Sequence, residues 1–248
     1  MSTTTEPGAA VPTPNTARAL LTAVGLLAIA AAGSYAIPAG FVALYAAADG
    51  ATLLVTTVGG VVATLFLAVL GAAYRRLHHV EIPLRRPAGG EWAWIAGGLA
   101  LSLALAVAFA VLEGLLAAEA AVSSASLVAG GASALTVALA AGYFLLVVGP
   151  VEEYLFRGVV QGRLRQSFGP VAAIGVTSVG FALGHAPNYW LAGSELLSVG
   201  VAVALAGTAV AAAVLGVVYE RTANLVVVAL VHGLTNAVLF GLVVALAG

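Results

Sequence analysis

The chain has 248 residues, of which 62% are hydrophobic and only 8% charged. A soluble domain carries about 25% charged residues, so a chain this poor in charge cannot cover itself with polar surface, and lipid is the solvent it fits. A formal net charge of −1 gives no basic surface for nucleic acid, and the lack of cysteine excludes disulfides, thiolate nucleophiles and thiolate metal ligands.

Residues 1–17, rich in Thr, Pro and Gly, have no helical pattern and read as a disordered cytoplasmic tail. The apolar run that follows is too long for a secretion signal, whose apolar core spans about 7–15 residues. It reads as the first of seven spanning helices, near 18–48, 51–74, 92–117, 132–165, 170–186, 196–219 and 224–247. The expected fold is an all-α, polytopic transmembrane helix bundle. Residues 18–248 form a single transmembrane domain whose motif-bearing core is 132–248.

The cations test that count. All nine are arginines. Arg18 precedes span one, Arg75, Arg76, Arg85 and Arg86 lie between spans two and three, Arg157, Arg163 and Arg165 toward the end of span four, and Arg221 between spans six and seven. Seven spans with a cytoplasmic N-terminus put every arginine on the cytoplasmic side. Asp49, Glu113, Glu119 and Glu195 fall on the other side, where the C-terminus emerges. Trp92 and Trp94, and Tyr189 and Trp190, are expected in the interfacial aromatic belts. His78 and His79 belong to a solvated loop.

Ionisable groups within a bilayer are costly and usually functional. Three motifs carry them: Glu152-Glu153 with Arg157 after Gly149-Pro150, Phe181 with His185, and His232-Gly233 with Asn236. Residues four apart share a helix face, so Glu153 and Arg157 form an ion pair. Glu152, turned about 100° away, is the freer carboxylate. His232 and Asn236 point into one cavity, and Phe181 walls the site beside His185. Glu152 lies sixteen residues before Phe168 and His185 seventeen after it, which puts them at similar depth. A carboxylate, two imidazoles and a carboxamide suit hydrolysis: the carboxylate takes a proton from water, and the other groups stabilise an oxyanion.

Glu-Glu-x-x-x-Arg, Phe-x-x-x-His and His-x-x-x-Asn, in this order on three membrane helices, resemble the CPBP family. That family comprises type II CAAX prenyl endopeptidases and bacteriocin-processing relatives. The resemblance covers about Gly149 to Phe240, and Pro150 and Phe156-Arg157-Gly158 extend it. It implies an intramembrane endopeptidase acting on a membrane-associated peptide or lipidated protein, including prenylated CAAX-type substrates. Glu152 would activate water together with His185, His232 and Asn236 would form the oxyanion site, and Glu153 and Arg157 would support them. The preferred reading needs no cofactor. The alternative is zinc held by Glu152, His185 and His232, with a position left for water.

Other readings are a structural ion-pair network, a packing His185, and interhelical hydrogen bonds from His232 and Asn236. For the whole protein, the rivals are a non-catalytic scaffold or bacteriocin-immunity-type peptide-binding protein and a proton-coupled transporter. A two-aspartate protease is impossible, because Asp49 is the sole aspartate. Gly-x-Ser-x-Gly and His-Glu-x-x-His elements are also missing.

Overall fold

The computed structural model describes residues 15–46, 52–116 and 133–247. These residues form seven long helices: α1 (Thr16–Ala46), α2 (Thr52–His78), α3 (Glu91–Leu115), α4 (Ala134–Arg165), α5 (Pro170–Leu191), α6 (Val199–Thr222) and α7 (Leu225–Ala247). Each contains a stretch long and apolar enough to cross a bilayer. The chain is a multi-pass α-helical membrane protein. Helices satisfy every backbone polar group internally, which hydrocarbon demands. Residues 1–14 of the expected tail, together with Asp49 and Glu119, lie outside the described residues, whereas Thr16 and Ala17 already belong to α1.

Helix α4 is the central strut. Its Leu155, Val159, Val160 and Leu164 are fully buried, as are Val227, Val228 and Val231 of α7. Helix α7 packs on α3, α4 and α6, α6 packs on α3 and α5, and the α1–α2 pair closes the bundle against α4 and α5. Outward side chains such as Leu21, Val69, Val107 and Leu139 are large, apolar and exposed, as a lipid-facing surface requires. Lipid gives helices little hydrophobic reason to associate, so small residues and polar contacts decide which faces meet. Gly149 of α4 and Gly233 of α7 show this directly. A Cβ on Gly149 would lie 2.9 Å from Gly233 N and from Ala229 O, and one on Gly233 would lie 2.7 Å from Leu145 Cα.

Helix α4 is not a uniform α-helix. Two π-helical segments, Phe144–Val148 and Tyr154–Gln161, flank the α-helical Gly149–Glu153. The Gly149 N–H bonds to Phe144 O and the Gly162 N–H to Arg157 O, five residues back in each case. Pro150 accounts for the first segment: an interior proline has no N–H to donate and crowds the preceding turn, which a wider turn relieves.

One end of the bundle is tied by a polar clamp. Arg85 grips the Glu91 carboxylate with both terminal nitrogens at 2.6 and 2.7 Å and also reaches Thr222 O at 3.0 Å. Asn224, fully buried, places Nδ2 3.4 Å from both Glu91 oxygens and accepts from Val226 N at 3.2 Å. Helices α3 and α7 therefore start at the same end and run parallel.

One expectation needs correction. Helix α5 does not stop at Ala186 but runs through Pro187 to Leu191. Arg157, counted with the arginines of the cytoplasmic side and also placed among the ionisable groups within the bilayer, has a fully buried side chain.

Candidate active site

The Glu153 carboxylate is the electrostatic centre. Its Oε1 accepts from Arg157 Nη1 at 3.0 Å and lies 2.8 Å from His232 Nδ1. Arg157 Nη2 donates to Ala212 O of α6 at 2.8 Å, and the guanidinium stands 5.1 Å from the Phe181 ring centroid. Glu153 and Arg157 are wholly sealed from solvent. Single buried charges are expensive in hydrocarbon, and pairing is what makes two of them tolerable, although Glu153 Oε2 and Arg157 Nε have no hydrogen-bond partner among the described residues. The close Gly149–Gly233 approach brings these groups together, because Glu153 lies one turn beyond Gly149 and His232 adjoins Gly233.

Glu152 takes the other direction. Its side chain keeps 17% exposure and its Oε2 stands 3.8 Å from His232 Nε2. The two carboxylates thus flank one imidazole, Glu153 at Nδ1 and Glu152 near Nε2. A carboxylate only accepts, so the short Glu153 contact puts a proton on Nδ1. His185 is fixed in a similar way, with Nδ1 2.8 Å from its own helix carbonyl, Phe181 O. The carbonyl also only accepts, so Nδ1 carries the proton and a neutral His185 presents a bare Nε2. Phe181 lies between the two histidines, its ring centroid 4.6 Å from that of His185 and 5.9 Å from that of His232. Phe156 braces it edge-on at 4.8 Å.

Phe181, His185, His232 and Asn236 all line one cavity of about 320 Å³ between α3, α5, α6 and α7. The spacing of four within each motif is what aims both members inward. The arrangement offers a partly exposed carboxylate, an imidazole with a bare nitrogen, a second imidazole fixed by a buried carboxylate, and a carboxamide. Together these can move a proton and donate hydrogen bonds to a developing anion.

The zinc alternative requires Glu152, His185 and His232 around one ion. Among the described residues, no three His, Cys, Asp or Glu side chains are gathered closely enough to hold a metal. As placed, Glu152, His185 and His232 do not form a zinc centre.

The remaining walls carry no motif. Ser102, Leu105, Ala106 and Phe109 of α3 face Ala204, Gly207, Thr208 and Ala211 of α6 across the cavity. Phe109 seats directly on Gly207, where a Cβ would lie 3.0 Å from the ring. The expected belt residue Tyr189 also lines the cavity, while its neighbour Trp190 is exposed. A signal for Tyr189 was present: it continues the Phe181–His185 spacing by one more turn. The α3 wall had no such signal beyond Ser102, a hydroxyl inside an apolar run.

Buried acid–base groups converge on a cavity inside a membrane bundle, the arrangement that hydrolysis within a bilayer needs. Residues 133–238 match the family model described as Type II CAAX prenyl endopeptidase Rce1-like. This stretch contains all three motifs, and the match supports the resemblance to the CPBP family: residues 133–238 are similar to an Rce1-like domain. Helices α1–α3 lie outside the match. No curated protein and no solved structure shows a significant match to the chain.

Proposed function

We propose that the protein is an intramembrane endopeptidase that hydrolyses a peptide bond of a membrane-associated substrate, with a prenylated CAAX-type C-terminus as the substrate class. The observation that carries this reading is the convergence of His185, His232 and Asn236 on one cavity, with Glu152 3.8 Å from His232, inside a domain of the matching family. The family description supplies the substrate class.

Glu152 acts as general base. It is the carboxylate that keeps some exposure and has no strong ion-pair partner, whereas Glu153 is occupied by Arg157 and His232. His185 receives the same water at its bare Nε2 and orients it toward the scissile carbonyl. As the carbonyl oxygen gains charge, Asn236 Nδ2 donates to it, and His232 adds a second hydrogen bond from Nε2 when both ring nitrogens carry a proton. The proton held by Glu152 then passes to the leaving amine. Arg157 holds the Glu153 carboxylate in place, and Glu153 keeps His232 turned. The bundle sits in the cell membrane with its arginine-bearing turns and N-terminus in the cytoplasm and its C-terminus outside.

The test is cleavage of a farnesylated peptide ending in a Cys-aliphatic-aliphatic-X tetrapeptide, by purified wild type and Glu152→Ala in lipid. The general-base role predicts a loss of about 10²–10⁴-fold in the variant. Equal cleavage by both proteins removes Glu152 from the mechanism.

A further inference from the structure

Ser102 is the one polar side chain of α3 that faces the cavity, and its hydroxyl is an anomaly. The residue is 3% exposed, and Ser102 Oγ has no hydrogen-bond partner among the described residues. A hydroxyl in a membrane helix ordinarily satisfies itself by donating to the carbonyl four residues back. Thr22, Thr64, Thr208, Thr222 and Thr235 all do so here, at 2.7–2.9 Å. Thr177 Oγ1 of α5 is also buried without a partner, but Thr177 does not line the cavity, whereas Ser102 does. Ser102 has Gly98 O available on its own helix and does not take it. An orphaned hydroxyl in an apolar wall costs free energy that an alanine would avoid.

Position gives the orphan a use. Gly98, one turn earlier, packs on Val231 of α7, where a Cβ would lie 3.1 Å from its methyl groups. Because α3 and α7 run parallel, Ser102 stands one turn further along, level with Thr235 and Asn236. Ser102, Asn236 and His232 line the same cavity. Thr235 cannot serve a ligand as donor, since its only proton goes to Val231 O.

We propose that Ser102 is a substrate-binding residue, donating its hydroxyl proton to a backbone carbonyl of the peptide held in this cavity. This rests on the proteolytic reading for the identity of the substrate, not for the hydrogen bond itself. It gives α3, which lies outside the matched family domain, a direct part in the site. A backbone carbonyl is the acceptor an extended peptide presents whatever its side chains, so the contact fixes register rather than sequence.

The test uses the full chain in lipid nanodiscs and the farnesylated peptide above, with each backbone carbonyl near the scissile bond replaced in turn by a thioamide, a poorer acceptor. Affinity is measured in the Glu152→Ala background with and without Ser102→Ala, and cleavage in the wild-type background with and without it. Loss of one neutral hydrogen bond is expected to weaken Kd, and to raise KM more than it lowers kcat, by about three- to tenfold. One thioamide position should weaken binding to the serine protein and have no further effect once Ser102 is alanine. Identical thioamide profiles with and without the hydroxyl, or an unchanged Kd, would overturn the proposal. Binding without cleavage by the wild type would instead strike at the proteolytic reading and leave the Ser102 comparison intact. Ser102→Thr separates the two roles of the residue: a threonine that back-bonds to Gly98 should bind like alanine, not like serine.

Discussion

His232 Nδ1 lies 2.8 Å from Glu153 Oε1, and that carboxylate is held from its other side by Arg157 at 3.0 Å. The chain of bonds runs from Ala212 O through Arg157 and Glu153 to His232, so three helices fix the orientation of one imidazole. Nε2 is left to face Glu152 and the cavity. A histidine oriented by a buried carboxylate is the arrangement that sets tautomer and direction in many hydrolytic sites.

Glu153→Gln should therefore fail twice. It leaves the Arg157 guanidinium buried without its counter-charge, which costs about 3–5 kcal/mol, and it weakens the hold on His232. Replacing both partners by apolar residues, as Glu153→Leu with Arg157→Met, should recover most of that stability. Cleavage should stay low in the double variant, because nothing then turns His232. Thermal unfolding in micelles and peptide cleavage are measured side by side. Cleavage that returned together with stability would mean that His232 needs no orienting carboxylate.

Gly149 and Gly233 set the distance between the helices that carry these groups. Gly149→Ala must force backbone from backbone, since the new Cβ would meet Gly233 N and Ala229 O at 2.9 Å. Overpacking of this kind costs about 1–3 kcal/mol, and the added separation moves Glu153 away from His232. Gly184→Ala is the control on a motif-bearing helix, because nothing lies within 4 Å of a Cβ there. The first variant should lose stability and activity, and the second should keep both. Equal behaviour would show that the glycine contact does not position the site.

Much of this was legible in the sequence, because hydrocarbon imposes simple rules. Apolar run length gave the seven helices, and the spacing of four gave the Glu153–Arg157 pair and the inward pairing of His232 with Asn236. What was not legible depends on contacts between distant segments. Pro187 does not end α5, since a membrane helix gains nothing from exposing backbone to lipid and continues past the missing bond. Arg157 counts as a cation in any topology rule, yet its partners bury it. The π-helical turns around Gly149–Glu153 follow from Pro150 and from packing, not from residue preference. Gly149 and Gly233 are indistinguishable by spacing from the other glycines of so glycine-rich a chain. Tyr189 was read as a belt residue because composition shows depth and not direction.

Asn236 gives a prediction that separates transition-state contacts from substrate binding. Its carboxamide lines the cavity beside His232, where a developing oxyanion would form. A donor of this kind acts on charge that the bound substrate does not yet carry. Asn236→Ala should lower kcat by about 10²–10³-fold and leave KM nearly unchanged. Steady-state kinetics on the farnesylated peptide read both constants. A raised KM with unchanged kcat would move Asn236 from the oxyanion to the ground-state peptide.

Removal of metal is the next expectation. With no three candidate ligands gathered among the described residues, prolonged treatment with a chelator should leave cleavage unchanged, and added zinc should not raise it. Chelator-sensitive activity restored by zinc would assign Glu152, His185 and His232 to an ion and require a rearranged site.

The orientation of the bundle can be read chemically, because the chain has no cysteine to complicate labelling. Apart from the buried Arg157, the arginines lie at helix starts, helix ends and turns. Where they meet other helices, they gather at one end of the bundle, as Arg85 does with Thr222 and Arg165 with Glu220. The positive-inside rule makes that end cytoplasmic. Gln166, in the exposed turn after α4, belongs to it, whereas Leu197, 95% exposed before α6, belongs to the opposite end. Gln166→Cys should react with a membrane-impermeant maleimide only after cells are opened, and Leu197→Cys should react in intact cells. The reverse pattern would invert the bundle.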